Sequence, residues 1–256
     1  MLTQLAGERP RLAAALLQSE RQRARHTASL LTGARFKGLD ELLRHLDDLV
    51  RAFEADSELS RLSFLVARSA ADFETAVEAT VSGYLAVASD AMRDVMEIEN
   101  LLLDFAVDPG HIDDWLTADQ RTIRNKFSPP AVRKRLHAAG EAPYATTAAS
   151  LDYQAHSAAL HVGPHQHPVA AKGFSADRGW DGDAGFWEIF EHARRLHRAI
   201  RRVTNTLAAE SAADLLAARE LHDVQDAWQR TQEMQAVYLA LLTASVEAQL
   251  KGGEDS

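Results

Sequence analysis

Leu39, Leu42, Leu43, Leu46, Leu49, Val50 and Phe53 recur every three or four residues. That spacing gathers apolar side chains on one face of an α-helix. The same period runs through Leu12, Leu16, Leu17, Ala24, Leu30 and Leu31. Pro10 suits the first turn of this helix and Gly33 its end. Gly38 predicts a break before the second helix. Ser57 with Ser60 is expected to cap a third, which carries Leu62, Leu65, Val66, Phe73 and Val77. A fourth is expected from about Gly83 to Ala106, closed by the turn Asp108-Pro109-Gly110.

Short helices are expected over 111–126 and 129–139, with Pro129 and Pro130 in the first turn of the latter. A polar loop over 140–149 precedes a helix from about Ser150 to His161, which Gly163-Pro164 ends. Segment 163–182 holds four glycines and two prolines without a period, and reads as a long irregular loop, functional or disordered. Helix resumes near Asp183. Leu221, Val224, Trp228, Thr231, Gln235, Tyr238 and Leu242 then mark a long C-terminal helix by a 3-4 repeat, and 250–256 reads as a disordered tail. Alternating strand patterns are absent. The fold class is all-α: one multi-helix bundle domain over 1–256.

Composition agrees with this pattern. Alanine occurs 46 times among 256 residues, against 13 glycines and 7 prolines, a bias toward helix. There are no cysteines, which excludes disulfides, thiol catalysis and cysteine-ligated metal. Neither an apolar signal-peptide core nor an apolar run long enough to span a bilayer is present, so a cytoplasmic protein without membrane contact is expected. The net charge of −9 is unevenly spread: residues 121–202 hold 13 Lys/Arg against 7 Asp/Glu. Seven of the eleven histidines lie there too. The average charge therefore does not exclude a polyanionic partner.

Three constellations could carry chemistry. On the fourth helix, Ser89, Arg93, Glu97, Asn100 and Asp104 form a polar stripe, with Arg93 and Glu97 one turn apart. It either lines a cleft, where Glu97 fixes Arg93 to receive an anion, or braces the bundle as a polar network or solvated face. Tyr153, Ser157 and His161 fall four apart and stack on one side of a helix. His161 at its C-terminal end is favoured in the protonated form by the helix dipole. That suits a general acid or a phosphate contact, or else a capping histidine. His156, His161, His165 and His167 match no standard metal spacing, and no metal or cofactor is expected.

The third is Arg194, Arg195, Arg198, Arg201 and Arg202, five arginines in nine residues. With Arg121, Arg124, Lys126 and Arg133–Arg135, and with the aromatics Tyr144, Tyr153, Phe174, Trp180, Phe186 and Trp187 between the two clusters, they suit single-stranded nucleic acid. Alternatively they pair with acidic helices such as Asp40–Glu58, within or between subunits.

At Arg68-Ser-Ala…Glu74, Met92-Arg-Asp-Val-Met-Glu97-Ile-Glu99 and Tyr153…Ser157…His161, roughly residues 60–165, the chain resembles bacterial all-helical proteins loosely related to the HEPN superfamily. The resemblance implies a helical bundle, frequent dimers and, in active members, metal-independent RNA cleavage by an arginine and a histidine in a cleft at the dimer interface. The family's Arg-x(4–6)-His signature is not met at His161, where the corresponding positions are Gln154, Ala155 and His156. It is met at Arg21…His26 on the first helix. The expectation is a homo-oligomeric protein that binds or cleaves RNA in stress or phage defence. Arg93, Glu97, Tyr153, Ser157 and His161 would form its catalytic site, and Arg194, Arg195, Arg198, Arg201 and Arg202 would hold phosphate. The alternative is a non-enzymatic helical interaction protein in which Arg, Glu, Tyr and His brace the fold.

Overall fold

The computed structural model describes residues 6–30, 34–141, 182–207, 221, 222, 224–227 and 229. The chain is an all-α bundle, and no strand occurs among the described residues. Helices α1 (Pro10–Leu30), α2 (Ala34–Ala55), α3 (Ser63–Ser82) and α4 (Leu85–Val107) are followed by the short α5 (Gly110–Leu116), α6 (Gln120–Lys126) and α7 (Pro129–Ala138), and by α8 (Gly182–Thr206). The expected helix 150–161, the loop after it, the tail at 250–256 and the C-terminal helix beyond Gln229 lie outside the described residues.

Helix α4 is the axis of the bundle. It packs most extensively on α8 and α3, and α7 covers part of its remaining surface. Met92, Val95, Met96, Leu102, Leu103 and Phe105 on α4 are almost wholly enclosed. They meet Val66 and Phe73 of α3 and Phe186, Ile189, Phe190, Leu196 and Ile200 of α8 in one continuous core. Helix α2 adds Leu42, Leu46, Leu49 and Phe53, the leucine stripe legible in the sequence. Each fully buried side chain of this size stabilises the fold by about 1.5–3 kcal/mol, so the apolar period decides the architecture.

Local signals differ from the expectation in four places. Gly38 lies inside α2 rather than before it. A glycine in a helix interior costs about 1 kcal/mol, which the burial of the leucine stripe outweighs. Ser57 and Ser60 do not cap α3. Asp56 Oδ1 instead accepts the Glu58 and Leu59 N–H groups at 2.9 and 3.1 Å, ahead of a 3-10 turn at Ser60–Leu62. Gly83 ends α3 rather than beginning α4, because its φ of +83° is the left-handed conformation of a helix C-terminal cap. The expected helix 111–126 is two helices. Asp119 caps the second, accepting the Thr122 N–H at 2.7 Å.

Residues 224–227 meet the bundle at α2. Glu41 accepts the Val224 N–H at 2.9 Å, and Val224 and Ala227 are fully buried. No described helix is long and apolar enough to cross a membrane.

Candidate functional site

The polar stripe of α4 is mostly internal. Asn100 and Asp104 are almost wholly buried and Ser89 nearly so, because α4 is enclosed on several sides. Arg93 and Glu97 are the open part. Arg93 donates to Glu97 at 3.0 Å, and their side chains keep 27% and 32% of their surface exposed. Asn100, one turn from Glu97, buries its Oδ1 without a hydrogen-bond partner among the described residues, a costly arrangement in a packed interior.

Asp104 ends the stripe in the densest polar network described. Arg135 of α7 grips it with two hydrogen bonds of 2.9 and 2.6 Å, and His111 Nδ1 lies 3.0 Å from Oδ2, the oxygen that also accepts from Arg135 Nη2. Arg135 also donates to the Lys126 carbonyl, and the Phe127 ring stands edge-on to His111. Helices α5 and α7 thereby meet on one excluded carboxylate of α4, and Arg135 ties the end of α6 to them. The bidentate guanidinium geometry makes this network a brace for α5, α6 and α7 against the end of α4. Among the described residues, no three histidine, aspartate or glutamate side chains gather to hold a metal ion.

The arginines of α8 do not form a uniformly exposed strip. Arg195 turns inward, and its Nε donates to Glu99 Oε1 at 3.0 Å, where Glu99 is fully buried. Arg194 pairs with Glu191 at 3.1 Å and Arg202 with Glu141 at 2.6 Å. These three meet carboxylates within the chain, and Glu191, Glu99 and Glu141 lie outside the segment 40–58 given as an example of their acidic partners. Arg198 and Arg201 are exposed, and neither has a carboxylate partner among the described residues.

Beside them, His197 Nδ1 and His45 Nε2 lie 3.0 Å apart, one ring donating to the other. Burial, and secondarily the nearby Arg201 charge, pushes the His197 pKa down. Across α3 and α4, Arg68 binds both Asp72, at 3.4 Å, and Asp94. Asp72 is pushed up to about 6, first by desolvation and then by the Asp94 charge.

Of the expected catalytic residues, Arg93 and Glu97 are brought together, while Tyr153, Ser157 and His161 lie outside the described residues. The signature match on α1 does not form an open arginine–histidine pair. His26 is buried and donates through Nδ1 to the Val81 carbonyl at 2.6 Å, whereas Arg21 is exposed. Sequence reasoning missed the Glu99–Arg195 pair. The burial of Glu99 was legible, because it falls in the apolar series Met92, Val95, Leu102, Leu103 and Ala106, but its partner was not. No family model matches the chain, and neither a curated protein nor a solved structure matches it.

Proposed function

We propose that this chain is a HEPN-like helical protein that binds or cleaves RNA, any cleavage being metal-independent, in stress or phage defence. The observation that carries the reading is Arg93, held by Glu97 on the central helix with about a quarter of its side chain open to solvent. A guanidinium fixed by a carboxylate is already oriented to receive a phosphate. Arg198 and Arg201, exposed and without carboxylate partners among the described residues, supply further positive charge for a phosphate backbone.

In this reading a ribose 2′-hydroxyl attacks the adjacent phosphorus while a base removes its proton. The 5′-oxygen leaves with a proton from an acid, giving a 2′,3′-cyclic phosphate. His161 shuttles the protons and Arg93 stabilises the charge that develops on the phosphate. The test is incubation of the purified full chain with end-labelled RNA, with and without a chelator. Chelator-resistant cleavage that is lost in His161→Ala and Arg93→Ala supports the chemistry; cleavage unchanged by either substitution removes that residue from it.

The second reading is a non-enzymatic, homo-oligomeric interaction protein. It is favoured by the internal ion pairs of Arg194, Arg195 and Arg202. Intact RNA after prolonged incubation, together with a stable dimer in light scattering, would favour it.

A further inference from the structure

A groove of about 450 Å³, lined by no residue of α8, opens between α1, the C-terminal half of α3 and the first turn of α4. Arg23, Glu74, Glu78, Ala79, Ser82, Tyr84 and Val87 line it. Ala79 and Ser82 are buried and form its floor, while Tyr84 and Val87 expose 41% and 49% of their surface. Exposed apolar side chains beside a concave floor leave a wall that a ligand can cover.

The groove already shows how it holds a guanidinium. Arg23 lies 2.8 Å from Glu78 and donates through Nε to Ser82 Oγ at 3.3 Å. The Ser82 hydroxyl in turn donates to Glu78 Oε1 at 3.0 Å. One turn earlier on α3, Glu74 is exposed, and no hydrogen bond or ion pair engages it among the described residues. The balance is one guanidinium against two carboxylates. The end of α3 adds to the negative side, because helix C-termini carry partial negative charge. The Ala79 carbonyl there accepts the Tyr84 N–H at 2.7 Å.

The geometry points to a docking site for an arginine-bearing segment of a partner protein, its guanidinium on Glu74 and its stem against Tyr84 and Val87. Charge complementarity selects a cation. The exposed phenol ring and valine select one with an aliphatic stem and a flat head, which stacks on an aromatic face while pairing with a carboxylate. Ammonium, compact and strongly hydrated, uses that wall less well. This surface is separate from the arginines proposed to hold RNA, so either assignment can fail without the other.

The test uses the full chain and a fluorescent, end-blocked Gly-Leu-Arg-Leu-Gly peptide, followed by anisotropy. Saturable binding is expected, weakened about tenfold or more by Glu74→Gln and by Tyr84→Ala, as for loss of a charged hydrogen bond or a stacked face. Glu58→Gln, which removes an exposed carboxylate elsewhere, leaves the affinity unchanged, and a peptide with lysine in place of arginine binds more weakly. No saturation by about 1 mM peptide, or equal losses from Glu74→Gln and Glu58→Gln, overturns the proposal. The second outcome would mean general attraction to an acidic protein. Thermal melts of each variant confirm that the fold is retained.

Discussion

Glu99 of α4 and Arg195 of α8 meet at 3.0 Å with the carboxylate wholly shut off from solvent. They join two helices through residues 96 positions apart in the chain. Burying two charges costs several kcal/mol per ion, which good geometry only offsets. The pair therefore fixes how α8 sits on α4 more than it adds stability. Removing one partner leaves the other charge buried and unpaired. Arg195→Met is expected to lower unfolding free energy by about 3–5 kcal/mol, and the double replacement Glu99→Leu with Arg195→Met to recover most of that loss. Urea denaturation of the three proteins measures both effects.

Asp72 is predicted to destabilise the fold at neutral pH. Its carboxyl is pushed up to about 6, chiefly by desolvation, so the folded state favours the protonated form. That contribution is complete below the unfolded carboxyl pKa near 3.9 and is lost as pH rises through about 6. Asp72→Asn should stabilise the protein by about 2 kcal/mol at pH 8 and have little effect at pH 4. Chemical denaturation at both pH values checks the sign.

The buried histidine pair predicts acid sensitivity of the α2–α8 contact. Because the His197 pKa is lowered by burial, the unfolded chain binds its proton more readily. Stability is complete above the unfolded histidine pKa of about 6.5 and falls as pH drops below it. His197→Gln keeps a donor and an acceptor but cannot take up that proton. Melting temperatures between pH 7 and pH 5 should fall less steeply in the variant than in the parent.

Thr204 is fully buried, and its hydroxyl has no hydrogen-bond partner among the described residues. Thr204→Val replaces an unsatisfied hydroxyl by a methyl of similar size. It is expected to stabilise by about 1 kcal/mol, read as a higher urea midpoint with an unchanged slope.

The leucine and valine spacing of α2, α3 and α4 was enough to place the helices and their buried faces, because burial of an apolar stripe dominates the energetics. Gly38, Ser60 and Gly83 were misread because each is a local preference that tertiary packing can override or use differently. Glu97 was legible as the partner of Arg93, since residues four apart meet on one helix. The partners of Arg195 and Arg202 were not. Glu99 and Glu141 lie 96 and 61 residues away, and only packing brings them near. For the same reason, a count of arginines overstated the free positive charge on α8. Asp104 was visible as a polar position on α4, but its convergence with His111 and Arg135 depends on how three short helices fold back.

RNA binding is the central proposal, and its most direct measurement is the affinity of the full chain for a fluorescent single-stranded RNA across a salt series. Binding that weakens with rising salt is predicted, as expected when phosphates displace counterions. The pair of substitutions Arg198→Glu and Arg201→Glu should reduce it at least about tenfold and flatten the salt dependence. Absence of saturable binding at low salt, or affinity unchanged by the two substitutions, would contradict the account.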